Sequence, residues 1–251
     1  MKKIIVIPAR LASTRLPNKV LLDLKGKTIL QRVYEQCIKV KEAAVFIATD
    51  SLEVKKSCSD YTQNVIMTSV EHKSGTDRIT EAIKELDFEA IVNVQGDEPF
   101  INPSLIQDLF GELEAEKVKV VTACERLKTS EELFDSNVVK VVKDCENNAL
   151  YFSRSSIPYI RDDSQFLIDE KKFFNSAVFY KHVGIYGYKK DFLLKYSSSK
   201  SSNLENLEML EQLRFLESGV RIKILETKYQ SFGIDTEEDY LKALKMLEHD
   251  I

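Results

Sequence analysis

The first half of the chain alternates short β-branched runs with amphipathic stretches of helical period, and few folds accommodate that alternation. "KIIVIP", "AVFIAT", "NVIMT" and "AIVNVQ" read as buried strands. Between them, Thr28 to Val40 carries Ile29, Val33, Cys37 and Val40 at helical spacing, and Ser74 to Leu86 does the same with Ile79, Ala82, Ile83 and Leu86. Strand, helix, strand repeated in this way predicts an α/β fold with a mostly parallel sheet covered on both faces. After about residue 117 the pattern turns to "VKVVTAC", "NVVKVVK", "ALYFS" and "HVGIYGY" with fewer helices between them, so this half is expected to be partly antiparallel. Arg161 to Lys181 has weak periodicity and reads as a long loop or insertion that takes part in a dimer contact, and "YSSSKSSN" reads as a second, Ser-rich loop.

A length of 251 residues at 43% hydrophobic and 30% charged suits one large α/β domain, or one carrying a sub-domain. No internal repeat or long linker divides it. The net charge of −4 argues against a general nucleic-acid binder. No run approaches the length of a membrane span and no signal peptide opens the chain, so a cytoplasmic location is expected. Cys37, Cys58, Cys124 and Cys145 form no Cys-x-x-Cys pair and read as reduced structural thiols.

In open α/β sheets ligands collect beyond the carboxyl ends of the strands. Immediately past the first strand come Arg10, Arg15 and Lys19, with no acid between residues 4 and 22. The loop lacks both G-x-G-x-x-G and G-x-x-x-x-G-K-[ST], so side-chain clamping of a polyanion is its available device, the alternative being a solvated basic loop. "KSGTDR" opens a helix where free N–H groups, Ser74 and Arg78 could face the same ligand, although Ser74 or Thr76 serves equally as a cap. "VNVQGDEP" ends a strand in Gln95, a permissive Gly and Asp97, a carboxylate suited to Mg²⁺, which takes few protein ligands and leaves the rest to water and phosphate. Asp235 in "GIDTEEDY" is either a second metal carboxylate or the cap of a following helix, with Thr236 as the competing cap and Tyr240, Leu241, Leu244 and Leu247 on the buried side. In "NLENLEMLEQLRFL" a continuous helix would put Glu205, Glu208 and Gln212 on one polar arc able to bind sugar hydroxyls, or simply to face solvent. Taken alone, His182 and Tyr186 are ordinary strand residues.

Together, "PARLASTRLPNK", "HKSGTDR", "VNVQGDEP", "LYFSRSSIP", "HVGIYGY", "ENLEMLEQLR" and "GIDTEEDY" resemble the 3-deoxy-manno-octulosonate cytidylyltransferase family, the CMP-Kdo synthetases, in order from residue 4 to about 245. Asn18 and Val20 depart from the pattern, standing where Gly and Pro are expected. The resemblance implies a nucleotide-diphosphosugar-transferase-like, Rossmann-like fold: a mixed, mostly parallel sheet flanked by helices, with a smaller, partly antiparallel sugar-binding and dimerisation sub-domain. Within one cytidylyltransferase domain over 1–251, residues 1–117 would be the nucleotide-binding half and 118–251 the sugar-binding half. It implies a homodimer that joins CTP to the acid sugar Kdo, giving CMP-Kdo and pyrophosphate for lipopolysaccharide or capsule synthesis.

On the same resemblance Asp97 and Asp235 would ligate Mg²⁺, with Lys19 a third catalytic residue. Arg10, Arg15, Lys19, Ser74, Arg78 and Gln95 would bind CTP, while Gln95, Arg154, His182, Tyr186, Glu208 and Gln212 would line the sugar side. Arg154 or His182 would face the sugar's carboxylate. The rival readings are the same chemistry on another acid sugar (8-amino-Kdo or a sialic acid), a glycosyltransferase of related fold, and a non-catalytic nucleotide binder.

Overall fold

The computed structural model describes residues 1–11, 15–72, 75–161, 174, 179–197, 199–230 and 232–249. They fall into two compact units: Met1–Gly111 with Ile185–Ser198 and Ser231–Ile251, and Glu112–Gly184 with Ser199–Gln230. The division is thus not one cut near residue 117, because the chain leaves the first unit and returns to it twice.

The first unit is built on four parallel strands in the order β3-β2-β1-β4: β1 (Lys3–Ala9), β2 (Ala43–Thr49), β3 (Val65–Met67) and β4 (Ala90–Asn93). Beside β4 runs the antiparallel end of β8 (Tyr180–Lys189), with Asn93 opposite Tyr186 and Ala90 opposite Lys189. Ile5, Val6 and Ile7 of β1 have no exposed surface, as expected of a central strand covered on both faces. The helices are α1 (Ile29–Cys37), α2 (Leu52–Cys58), α3 (Gly75–Ile83), α4 (Pro103–Leu113), α6 (Lys190–Ser197) and α9 (Glu237–His249). Helix α1 begins where the Thr28 side chain accepts from the Gln31 amide, a cap of about 1 kcal/mol, and it buries Ile29, Leu30, Val33 and Cys37. In α9 the expected inward Leu241 is half exposed. Ala243 takes that place, beside Tyr240, Leu244 and Leu247, against a core of Leu24, Ile29, Phe100, Phe232 and Ile234. The i, i+3, i+4, i+7 series from Tyr240 turns Leu241 outward.

In the second unit β5 (Val120–Arg126) lies between the parallel strand β9 (Lys223–Glu226) and β8. Antiparallel to one another run β6 (Lys140–Lys143) and β7 (Ala149–Ser153), and β6 also pairs with the start of β8. The helices here are α5 (Ser130–Phe134), α7 (Asn203–Glu208) and α8 (Gln212–Glu217). The continuous helix expected over "NLENLEMLEQLRFL" is therefore broken. Glu205 closes a capping box with Ser202 and pairs with Arg214, and the chain turns at Met209 in the left-handed region (φ 54, ψ 47). The amides of Met209 and Leu210 both donate to the Glu205 carbonyl. Tertiary partners of Glu205 thus override a helical propensity that was only local. Of the Arg161 to Lys181 loop, most lies outside the described residues; Phe174 and Phe179 pack with Leu127 and Leu133.

Candidate active site

The parallel strands of the first unit deliver a charged cluster beyond their carboxyl ends. Gly96 follows β4 where a Cβ would come within 2.9 Å of the Pro8 carbonyl, so only glycine lets the chain turn here and set Asp97 at the sheet edge. The amide of Ile234 donates to the Asp97 carbonyl (2.9 Å), which brings the segment carrying Asp235 alongside. Thr236 and Asp239 form a reciprocal cap at the start of α9, Thr236 Oγ1 accepting from the Asp239 amide and Asp239 Oδ2 from the Thr236 amide. Thr236 wins the competition for the cap, and Asp235 is released to the site.

Lys19 sits between the two carboxylates. Its Nζ bonds Asp97 Oδ2 and donates to Asp235 Oδ1 at 2.7 Å, while Arg15 Nη2 donates to Asp235 Oδ2 at 3.1 Å. Asn18, where glycine was expected, has φ 55 and ψ 24: the backbone demands a left-handed residue before Lys19, and Asn tolerates that region better than other side chains. Burial alone would lower the Lys19 pKa, but Asp97 and Asp235 outweigh it and hold it above the usual lysine value. Burial would likewise raise that of Asp235, but Lys19 and Arg15 hold it below the usual carboxylate value. Two carboxylates that share one ammonium are close enough to share one divalent cation, and their hard oxygen donors suit Mg²⁺. Among the described residues no cluster of three or more His, Cys, Asp or Glu side chains could hold a metal, so a metal here would take its further ligands from water and phosphate.

Of the other residues expected on the nucleotide side, Arg10 is exposed just past β1, Gln95 lies half-buried between β4 and Gly96, and Ser74 lies outside the described residues. Arg78 has a setting that the sequence did not foretell. It is fully buried in α3, donating from Nη2 to Asp50 (2.5 Å) and from Nη1 to Thr68 (2.6 Å), so here it braces α3 against the ends of β2 and β3. Tyr186 belongs to this first unit, its ring stacked on Tyr188 with centroids 5.7 Å apart.

The remaining residues expected on the sugar side lie in the second unit. The Glu208 carboxylate accepts from Ser153 Oγ (2.6 Å) and from the Arg154 amide (2.9 Å). Arg154 in turn donates from Nε to the Glu208 carbonyl and from Nη1 to the Ser136 carbonyl, leaving Nη2 without a partner among the described residues. Gln212 is buried with its Nε2 likewise unpartnered. Desolvation pushes the His182 imidazole down to about 3, and its Nε2 meets Thr122 Oγ1 at 2.9 Å. His182 is therefore a neutral hydrogen-bonding group at physiological pH, and of the two candidates for a carboxylate partner only Arg154 carries charge. One residue escaped the sequence reading. Lys140, buried without exposure, donates to three backbone carbonyls in this same cluster; a lysine set between paired valines in "VVKVV" was the available signal.

Comparison with known proteins fits this geometry. The cytidylyltransferase family model matches residues 4–222. A 3-deoxy-manno-octulosonate cytidylyltransferase of Geotalea uraniireducens is 45% identical over 249 residues, covering 98% of this chain and 99% of the relative. One from Francisella tularensis subsp. holarctica is also 45% identical, covering 96% and 97%. A solved CMP:2-keto-3-deoxy-manno-octonic acid synthetase in complex with CTP superposes over the whole of both chains with a TM-score of 0.91 at 37% identity. With its fold, its motifs and near-complete coverage in agreement, the chain belongs to the 3-deoxy-manno-octulosonate cytidylyltransferase family.

Proposed function

We propose that the chain transfers CMP from CTP to the anomeric hydroxyl of Kdo, releasing pyrophosphate, and that it does so with Mg²⁺ held by Asp97 and Asp235. The observation that carries this reading is Lys19 shared between Asp97 and Asp235 beside Arg15, an arrangement assembled from three distant stretches of a chain of this family. Mg²⁺, when bound, would polarise phosphate oxygens and offset the charge of the triphosphate. The chain's own residues do the rest. Arg10, Arg15 and Lys19 grip phosphates, Lys19 exchanging its carboxylate partners for substrate oxygens. Gln95 contributes a polar contact to the nucleotide, as the family resemblance also supports for Ser74, and Arg78 holds α3 in place through Asp50 and Thr68. In the second unit Arg154 Nη2 meets the sugar carboxylate, and His182, Glu208 and Gln212 meet hydroxyls; for Tyr186 the family resemblance supports a sugar contact. No covalent intermediate is required, since positioning two anionic substrates in line and screening their repulsion supply several kcal/mol of barrier reduction. A homodimer and a cytoplasmic setting complete the reading. The family resemblance supports both, and no described helix is long and apolar enough to cross a membrane.

The direct test is pyrophosphate release by purified protein given CTP, Mg²⁺ and Kdo, with each left out in turn. Release that needs all three is expected; release without Kdo, or none with it, would defeat the proposal. The metal assignment has its own test in Mn²⁺ titrations followed by electron paramagnetic resonance. Because Lys19 bonds both carboxylates and must yield them to a metal, Mn²⁺ should bind weakly alone and at least about tenfold more tightly with CTP, whose phosphates take up the ammonium. Lys19→Met should strengthen Mn²⁺ binding in the absence of CTP, and no change in that variant would remove Lys19 as the competing cation.

A further inference from the structure

Lysine is almost never fully buried unless paired, and an ammonium without hydrogen bonds in a protein interior costs several kcal/mol. Lys140 is fully buried, and the partners of its Nζ are carbonyls only: Asp135 at 2.8 Å, Val138 at 2.7 Å and Arg154 at 2.6 Å. An ammonium has three protons, and these three acceptors use all of them. Those carbonyls belong to two separate stretches, the turn before β6 and the residue that follows β7. The strand register sets Lys140 opposite Ser153, whose hydroxyl donates to Glu208, and the next residue, Arg154, gives its amide to the same carboxylate. Arg154 Nη1 then returns to the Ser136 carbonyl in the turn that Lys140 anchors. The ammonium, the turn over 135–138, Ser153, Arg154 and Glu208 thus form one closed set of hydrogen bonds. Among the described residues Arg154 Nη2 has no partner in this set.

We infer that Lys140 is a positioning residue for sugar recognition, fixing the Arg154 backbone so that Arg154 Nη2 and the Glu208 carboxylate are held in register before the acid sugar binds. The inference rests on the proposal that Arg154 and Glu208 contact the sugar. A bare carbonyl at Arg154 repels neighbouring carbonyls, and three of them converge here only because a cation sits at their centre. Replace the ammonium by a methyl group of similar reach and the carbonyls must separate or take up water, which carries Arg154 with them. A shift of about 1 Å in a group that orients substrate is enough to cost up to about a hundredfold.

The test is steady-state kinetics of Lys140→Met with each substrate varied in turn. KM for Kdo should rise about tenfold or more while KM for CTP stays within about twofold, because the CTP-binding residues lie in the other unit. A role confined to stability would lower the melting temperature and leave both KM values unchanged at temperatures where the variant is folded, and that result overturns the inference. Should Lys140→Met fail to fold, Lys140→Gln, which keeps an amide donor for two of the three carbonyls, is judged by the same criterion, with an intermediate rise in KM for Kdo expected. Arg154→Ala run in parallel separates the two layers of the argument. If it leaves KM for Kdo unchanged, the assignment of the sugar site is at fault; if it raises that KM and the Lys140 variants do not, the positioning role is.

Discussion

Two residues make the clearest demands on the chemistry. Asp97→Asn keeps shape and hydrogen-bonding capacity but removes the charge that Lys19 balances and that the proposed metal would need. Asp235, 2.7 Å from Lys19 in the wild-type chain, remains as its partner in that variant, so the cations proposed to bind phosphate are expected to stay in place. The expected result is a fall in kcat of about a hundredfold or more with KM for CTP changed only a few-fold, read from pyrophosphate release. Equal losses in both would mean that Asp97 acts through nucleotide binding. His182 makes a prediction of a different kind. Desolvation lowers its pKa in the folded chain to about 3, whereas the unfolded imidazole titrates near 6.5. Between those values the unfolded state binds the extra proton, so the contribution of His182 is whole above about pH 6.5 and lost as pH falls toward 3. Urea unfolding at pH 7 and pH 5 should show wild-type stability dropping by up to about 1.4 kcal/mol per pH unit from this group, and His182→Gln should lack that component. Parallel pH dependence in the two proteins would contradict a neutral, desolvated imidazole.

At the level of elements, Asn18 shows how one backbone angle governs a functional loop. Its φ of 55 immediately precedes Lys19, whose 3₁₀ turn (Lys19–Leu21) points the ammonium at the two carboxylates. Asn18→Gly should leave stability within a few tenths of a kcal/mol, whereas a β-branched Val at this position should cost about 1 to 2 kcal/mol and raise KM for CTP by misdirecting Lys19. Equilibrium denaturation with KM for CTP on both variants checks this, and a harmless Asn18→Val would show that the turn does not depend on the left-handed residue. The same region shows what a sequence discloses. The parallel strands were legible because β-branched runs leave a pattern of period and composition, and Asp97 because a strand ending in Gln-Gly-Asp is chemically pointed. The break at Met209 was not legible: its cause, the pairing of Glu205 with Ser202 and Arg214, is a tertiary fact, and leucines at helical spacing continue across it. The burial of Arg78 against Asp50 and Thr68 was hidden for the same reason, since a guanidinium in a first helical turn looks alike whether it faces ligand or core.

For the molecule as a whole, the decisive feature is that the first unit is discontinuous in sequence. Lys19 bonds Asp97 across 78 residues and Asp235 across 216, so no short fragment contains the site. The sequence pattern alone divides the chain near residue 117, because the alternation of strand and helix stops there and nothing in composition reveals a later return. The structure makes that boundary physically unworkable. All four residues of β4 are buried, and one of its neighbours is the Tyr186 to Lys189 stretch of β8. Without β8, β4 becomes a bare apolar edge. The core around Leu24, Ile29 and Phe100 would lose Phe232, Ile234, Tyr240, Ala243, Leu244 and Leu247, each large side chain worth about 1.5 to 3 kcal/mol on burial, against a total stability of about 5 to 15 kcal/mol for a typical domain. A fragment of residues 1–117 should therefore show no cooperative thermal transition and no rise in melting temperature with CTP and Mg²⁺. The full chain should melt cooperatively and gain several degrees with the same ligands. A cooperative, CTP-stabilised transition in the 1–117 fragment would mean that the late segments merely decorate a nucleotide-binding half that stands alone; its absence, with the transition recovered on adding the complementary chain 118–251, would establish that residues 185–198 and 231–251 are structural members of the nucleotide site.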